Sequence, residues 1–199
     1  MPHENVNTMR SNRKLEILNA ALICFNHRGI AATSIEEIKK NSHASIGSIY
    51  HHFGSKDGIA YALYVNGLQD YHNLLMEKLE EAETPESKIK TFVIIFLDWV
   101  EENPELANFI FSARSYLVNS KRAEDVEKFH DGNGNETASI IKELVVNKGI
   151  KELPGRVYSS LLVGPAQHFS QHLMNKDTAL DLEKEKAALA QVIWESLAP

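Results

Sequence analysis

The stretch from Thr33 to Lys56, TSIEEIKKNSHASIGSIYHHFGSK, constrains this chain more than any other. It reads as two short helices joined by a tight turn. Thr33 stands as an N-cap with Glu36 three residues on, which makes a capping box. Ile35 and Ile38 lie one helical turn apart and define a buried face. Lys39 and Lys40 close this helix with charges that suit its C-terminal end. Asn41, Ser42 and His43 form the turn, and Ser45 caps a second helix running through His52. Ile49 and Phe53, four apart, anchor that helix inward. Its other face presents Ser45, Gly47, Ser48, Tyr50, His51 and His52. A helix that is small and polar at its start, aromatic and imidazole-bearing at its end, suits the DNA major groove. Its N-terminal end would face the bases, with Tyr50 and the histidines reaching phosphates. Helix-turn-helix pairs also occur in proteins that never touch DNA, so spacing by itself leaves both readings open.

The residues themselves narrow the choice. Gly29, Thr33, Ile38, Ser45, Gly47, Ile49, Tyr50, His52, Phe53, Ser55 and Lys56 stand at the spacing of one family, and the match runs over about residues 11–71. The stretch resembles the DNA-binding domain of the tetracycline-repressor (TetR) family of transcriptional regulators. The resemblance implies an all-α chain of about nine helices. An N-terminal three-helix DNA-binding domain would occupy residues 11–71, with the helix-turn-helix at 34–53. A helical effector-binding and dimerisation domain would occupy residues 72–199. Candidate DNA contacts are Thr33, Ser34, Ser45, Ile46, Gly47, Ser48, Tyr50, His51, His52 and Lys56. Lys56 is carried over from a family lysine that meets the DNA backbone; the plain alternative is a solvated lysine. Two positions depart from the family pattern. Ser42 and His43 replace an Ala-Gly turn, and a glycine there supplies a positive φ that His adopts at some cost. Ile46 replaces a basic or polar residue; it can touch a thymine methyl but cannot hydrogen-bond a base edge.

A net charge of −6 looks wrong for a DNA-binding chain until the sequence is divided. Residues 1–60 hold seven Lys/Arg and five Asp/Glu, a balance of +2, with five histidines besides. The remaining residues hold fourteen and twenty-two, a balance of −8, and an acidic body disfavours non-specific wrapping on DNA. Cys24 is the single cysteine, so no internal disulfide is possible and the thiol reads as a small core residue. No signal-peptide pattern and no run of membrane-span length is present, which makes a cytoplasmic location, away from any membrane, the expectation.

In chain order, residues 1–10 are polar and aperiodic and read as a mobile arm. Helix 1 spans Asn12 to about His27, with Leu15, Leu18, Leu22 and Phe25 as its stripe, widened by Ile17, Ala21 and Cys24; Gly29 stops it. Gly54-Ser55-Lys56 has the wrong order for a phosphate loop, and Ser55 instead caps helix 4, about Lys56 to Glu81. The family resemblance implies a lever here: an effector in the body swings this helix and changes the distance between two reading heads. Thr84 and Pro85 start helix 5, which ends before Asn103-Pro104; helix 6 follows to Val118. Phe96 and Trp99 on helix 5, and Phe109 and Tyr116 on helix 6, read from spacing as plain core. Family ligand pockets lie among these helices, which makes the four aromatics pocket candidates. Residues 119–135 contain Asp131-Gly-Asn-Gly-Asn135 and read either as a loop or as a strained continuous helix from about Lys121. Helix 8 runs from Pro154 to about Met174, with Pro165 inside it expected to kink or loosen it, and helix 9 from Thr178 to about Leu197. In the family these last two helices form the homodimer interface. His168 and His172 share one face of helix 8, a spacing that can hold a metal ion. No acidic third ligand follows the zinc-protease pattern, so no metal or other cofactor is expected, and His168 joins the pocket candidates.

The expectation is therefore a ligand-responsive regulator that binds double-stranded DNA at a palindromic operator as a homodimer. A small molecule, unnamed by the sequence, would bind the C-terminal domain and release it, the usual pattern of a repressor. The alternative is a helical interaction module of the same fold that has lost specific DNA binding. No nucleophile elbow, phosphate loop or paired cysteine motif is present, so catalysis is not expected.

Overall fold

The computed structural model describes residues 3–174 and 181–199. Among these residues it is all-α: α1 (His3–Ala32), α2 (Ile35–Ser42), α3 (Ile46–Phe53), α4 (Lys56–Glu81), α5 (Pro85–Glu102), α6 (Pro104–Leu117), α7 (Ala123–Val146), α8 (Gly155–Met174) and α9 (Leu182–Leu197). No helix among them is long and apolar enough to cross a membrane.

The helices group into two compact units. The first joins Met1–Leu68 with Glu105–Phe129, and the second joins Gln69–Pro104 with His130–Pro199. This grouping differs from a sequence division at residue 71. The reason is apolar demand: α2 and α3 are eight residues each and cannot enclose a core. In the first unit α6 helps supply it. Phe109 stacks on Phe25 with ring centroids 5.7 Å apart. Gly67 on α4 lets α6 approach so closely that a Cβ there would lie 2.7 Å from Ile110 and 3.0 Å from Leu106. The buried stripe of α1 is Ile17, Leu18, Ala20, Ala21, Cys24 and Phe25; Leu15, expected inside, is exposed. The helix begins at His3, where an arm was expected, since no glycine or proline interrupts residues 3–12. Gly29, at φ 78 and ψ 159, breaks it near its end.

In the second unit α5 packs against α8 and α9. Thr84 caps α5, its hydroxyl accepting the Ser87 N–H, with Pro85 in the first turn. Ile89, Phe92, Val93, Phe96, Leu97, Trp99 and Val100 are buried on it. α7 is a continuous helix through Asp131-Gly-Asn-Gly-Asn135, and α8 continues through Pro165. Asp181 caps α9, while the expected start at Thr178 lies outside the described residues.

Candidate DNA-reading site

The reading head is built from caps upward. Ser34 is the N-cap of α2, extended at φ −104 and ψ 157, and it forms a reciprocal box with Glu37. The Ser34 N–H and hydroxyl donate to Glu37 Oε2 at 2.7 and 2.9 Å, and the Glu37 N–H donates to Ser34 Oγ at 3.3 Å. The box thus lies one residue beyond the expected Thr33–Glu36 pair. Thr33 is only 2% exposed, and its hydroxyl donates to the carbonyls of Gly29 at 2.8 Å and Cys24 at 3.2 Å. Buried and satisfied in this way, it faces the core instead of DNA, which corrects its place among the candidate contacts. Glu37 also pairs with Arg28. The Ser34 backbone bond, then the Ser34 hydroxyl and Arg28, hold the Glu37 carboxyl below the ordinary glutamate range.

The turn works without its family glycine. His43 adopts the left-handed conformation, φ 52 and ψ 18, and so takes the role a glycine would have had. Ser42 is buried, and its hydroxyl accepts the Ala44 N–H at 3.3 Å. Ser45 caps α3 as expected, its hydroxyl accepting the Ser48 N–H at 3.1 Å. Ile49 and Phe53 are buried and hold α3 in place. Ser45, Gly47, Tyr50 and His51 are exposed, and Ile46, Ser48 and His52 are half-buried. A Cβ on Gly47 would meet nothing nearer than Ser45 Oγ at 3.9 Å, so the protein's own packing does not require glycine there. Ser34 is exposed at the start of α2. Lys56, by contrast, points into the head. Its ammonium donates to the carbonyls of Ala31 and Thr33, both at 2.8 Å.

The pocket candidates divide between the units. Phe96 and Trp99 belong to the second and meet at Tyr71, whose ring lies 5.8 Å from Phe96 and 5.9 Å from Trp99. The Trp99 indole N–H donates to Asp70 Oδ2 at 2.9 Å. Burial pushes the Tyr71 hydroxyl far above the ordinary phenol range. Phe109 and Tyr116 belong to the first unit; Phe109 is core against Phe25, and the Tyr116 hydroxyl donates to Asp57 Oδ1 at 2.8 Å. His168 is exposed on α8, its ring 6.5 Å from that of His172, and it joins neither aromatic group. Spacing could not foresee Tyr71 as the centre of the Phe96–Trp99 cluster, because it reads equally well as a stripe residue of α4.

Comparison with known proteins bears on the head most directly. The family of bacterial regulatory proteins called tetR matches residues 17–63, which take in α2 and α3 whole. Residues 17–63 therefore carry a TetR-type DNA-binding domain. It is similar to the HTH-type transcriptional regulator UidR of Escherichia coli, 31% identical over 116 residues, covering 58% of this chain and 53% of UidR. BetI of Paraburkholderia xenovorans is 28% identical over 91 residues, covering 45% and 47%. The matches thus span about half the length of these curated relatives. In fold, a TetR family transcription regulator from Marinobacter aquaeolei aligns at TM-score 0.81 and 15% identity, covering 96% of this chain and 98% of that one.

Proposed function

We propose that this chain is a dimeric, ligand-responsive transcriptional regulator of the TetR type that reads DNA with α3. The observation that carries this reading is the exposed start of α3, where Gly47 is open on the protein side and flanked by Ser45 and Ser48. A glycine that packing does not demand is explained if another backbone comes close, as DNA does to a recognition helix. Tyr50 and His51 would meet phosphates, and Ser34 would add a contact from α2. Two heads related by two-fold symmetry would read an inverted repeat. The effector would bind the second unit near Tyr71, Phe96 and Trp99. α4 supplies residues to both units, which makes it the natural carrier of the signal. DNA and effector would then weaken each other's binding by the same factor. Release of a repressed promoter is the outcome we expect.

The test is a gel-shift titration against duplex DNA from upstream of the chain's own gene, with a scrambled duplex as control. Wild type should prefer the promoter duplex. Gly47→Ala should fold at least as stably, by about 0.5–1 kcal/mol of helix propensity, yet bind the promoter more weakly. Equal, salt-labile binding of both duplexes would count against a specific regulator.

A further inference from the structure

We propose that Lys56 is a positioning residue that clamps the junction between α1 and α2, in place of the DNA-backbone contact its position suggests. The inference rests on the DNA-binding reading above. Lys56 opens α4, where the helix dipole disfavours a positive charge. Its ammonium therefore gains most from partners outside its own helix. It has two: the carbonyls of Ala31 and Thr33, each at 2.8 Å.

These carbonyls are where a cation is needed. Gly29 breaks α1, and its own carbonyl is taken by the Thr33 N–H at 3.3 Å and the Thr33 hydroxyl at 2.8 Å. Ala31, in the last turn of α1, and Thr33, just past its end, then stand where carbonyl oxygens lack successors along the helix and attract cations. Thr33 directly precedes Ser34, the cap of α2. The ammonium thus fixes the residue from which α2 departs, and α2 carries the turn and α3 with it. Two of the three ammonium protons are spent inward. Turning to a phosphate would strip both carbonyls of this partner.

The experiment measures operator affinity against salt concentration for wild type, Lys56→Met and Lys56→Gln, with circular dichroism to establish folding. Met removes donors and charge, while Gln restores a neutral donor; both side chains are one atom shorter than that of lysine. The clamp predicts that Lys56→Met loses about tenfold or more in affinity, since two hydrogen bonds from a charged group disappear. Lys56→Gln should recover part of that loss, and both variants should keep the wild-type salt slope. A slope smaller by about one unit in both variants marks a lost phosphate contact and overturns the proposal. Unchanged affinity in Lys56→Met overturns it as well. If Lys56→Met does not fold, Lys56→Gln alone decides through its slope. If wild type shows no promoter preference, the regulatory reading fails and the clamp is read by hydrogen exchange. Faster exchange of the Ile35–Ile38 amides in Lys56→Met, relative to wild type, supports it; equal exchange overturns it.

Discussion

Glu37 illustrates how much of this reading head rests on single side chains. Its carboxylate receives the Ser34 N–H and hydroxyl and pairs with Arg28, so its proton affinity is lower in the fold than in the unfolded chain. The sign of the pH dependence follows. The contribution of Glu37 is present above the ordinary glutamate range and is lost as pH falls through that range toward the depressed value. Glu37→Gln keeps the shape and an acceptor but removes the charge. Urea denaturation of wild type and Glu37→Gln should show a stability gap at about pH 7 that closes by about pH 2. A gap independent of pH would mean that the charge contributes nothing. Ser45, Ile49 and Phe53 were legible at this scale because a cap and an i, i+4 apolar pair are local signals. The Thr33–Ser34 register was not. Either residue can cap, and the choice was made by burial of the Thr33 side chain against the end of α1.

Among the elements, α7 carries the sharpest conflict between local preference and observed structure. Asp131-Gly-Asn-Gly-Asn135 lies inside a 24-residue helix, and every residue in it is a poor helix former. At Gly132 and Gly134 a Cβ would meet nothing within 4 Å, so alanine fits at both without strain. Gly132→Ala and Gly134→Ala should each stabilise the protein by about 0.5–1 kcal/mol, read from the urea midpoint. No gain would indicate that this stretch is not helical in solution. The sequence left loop and helix both open here, because propensity alone cannot weigh flanking turns that are well anchored by Val126, Ile141 and Leu144. The aromatic stripes posed a different difficulty. Their spacing places Phe96, Trp99, Phe109 and Tyr116 on inward faces but says nothing of which helices meet. Only the fold sends Phe109 to Phe25 and Phe96 to Tyr71.

For the molecule as a whole, the apolar surface left on the last two helices bears on assembly. Val192 on α9 is 61% exposed and Val163 on α8 is 44% exposed, both on helices that otherwise bury their stripes. In a homodimer formed through α8 and α9 these valines would be covered. Light scattering should then give twice the chain mass for wild type, and Val192→Glu should shift it toward the monomer, since an unpaired charge in an apolar contact is costly. Wild type at the monomer mass would exclude that interface. The acidic excess beyond residue 60 was legible from composition, as was the mild basic excess before it. The face of α9 was legible only in part. Lys186, Ala190, Ile193 and Leu197 line its buried side at spacings of four, three and four, and a lysine in that register gives no apolar signal.

Lys186 is 2% exposed, and its ammonium is enclosed by Asp98 at 2.8 Å, Glu183 at 2.9 Å and Glu101. Burial alone would loosen its proton, but the three carboxylates outweigh burial and hold it above the usual lysine range. The amine is thus both inaccessible and locked in its protonated, non-nucleophilic form. Reagents and acetylating enzymes that modify surface lysines would leave this one untouched for as long as α9 stays docked on α5. Any modification found there records a moment when the helix had come away.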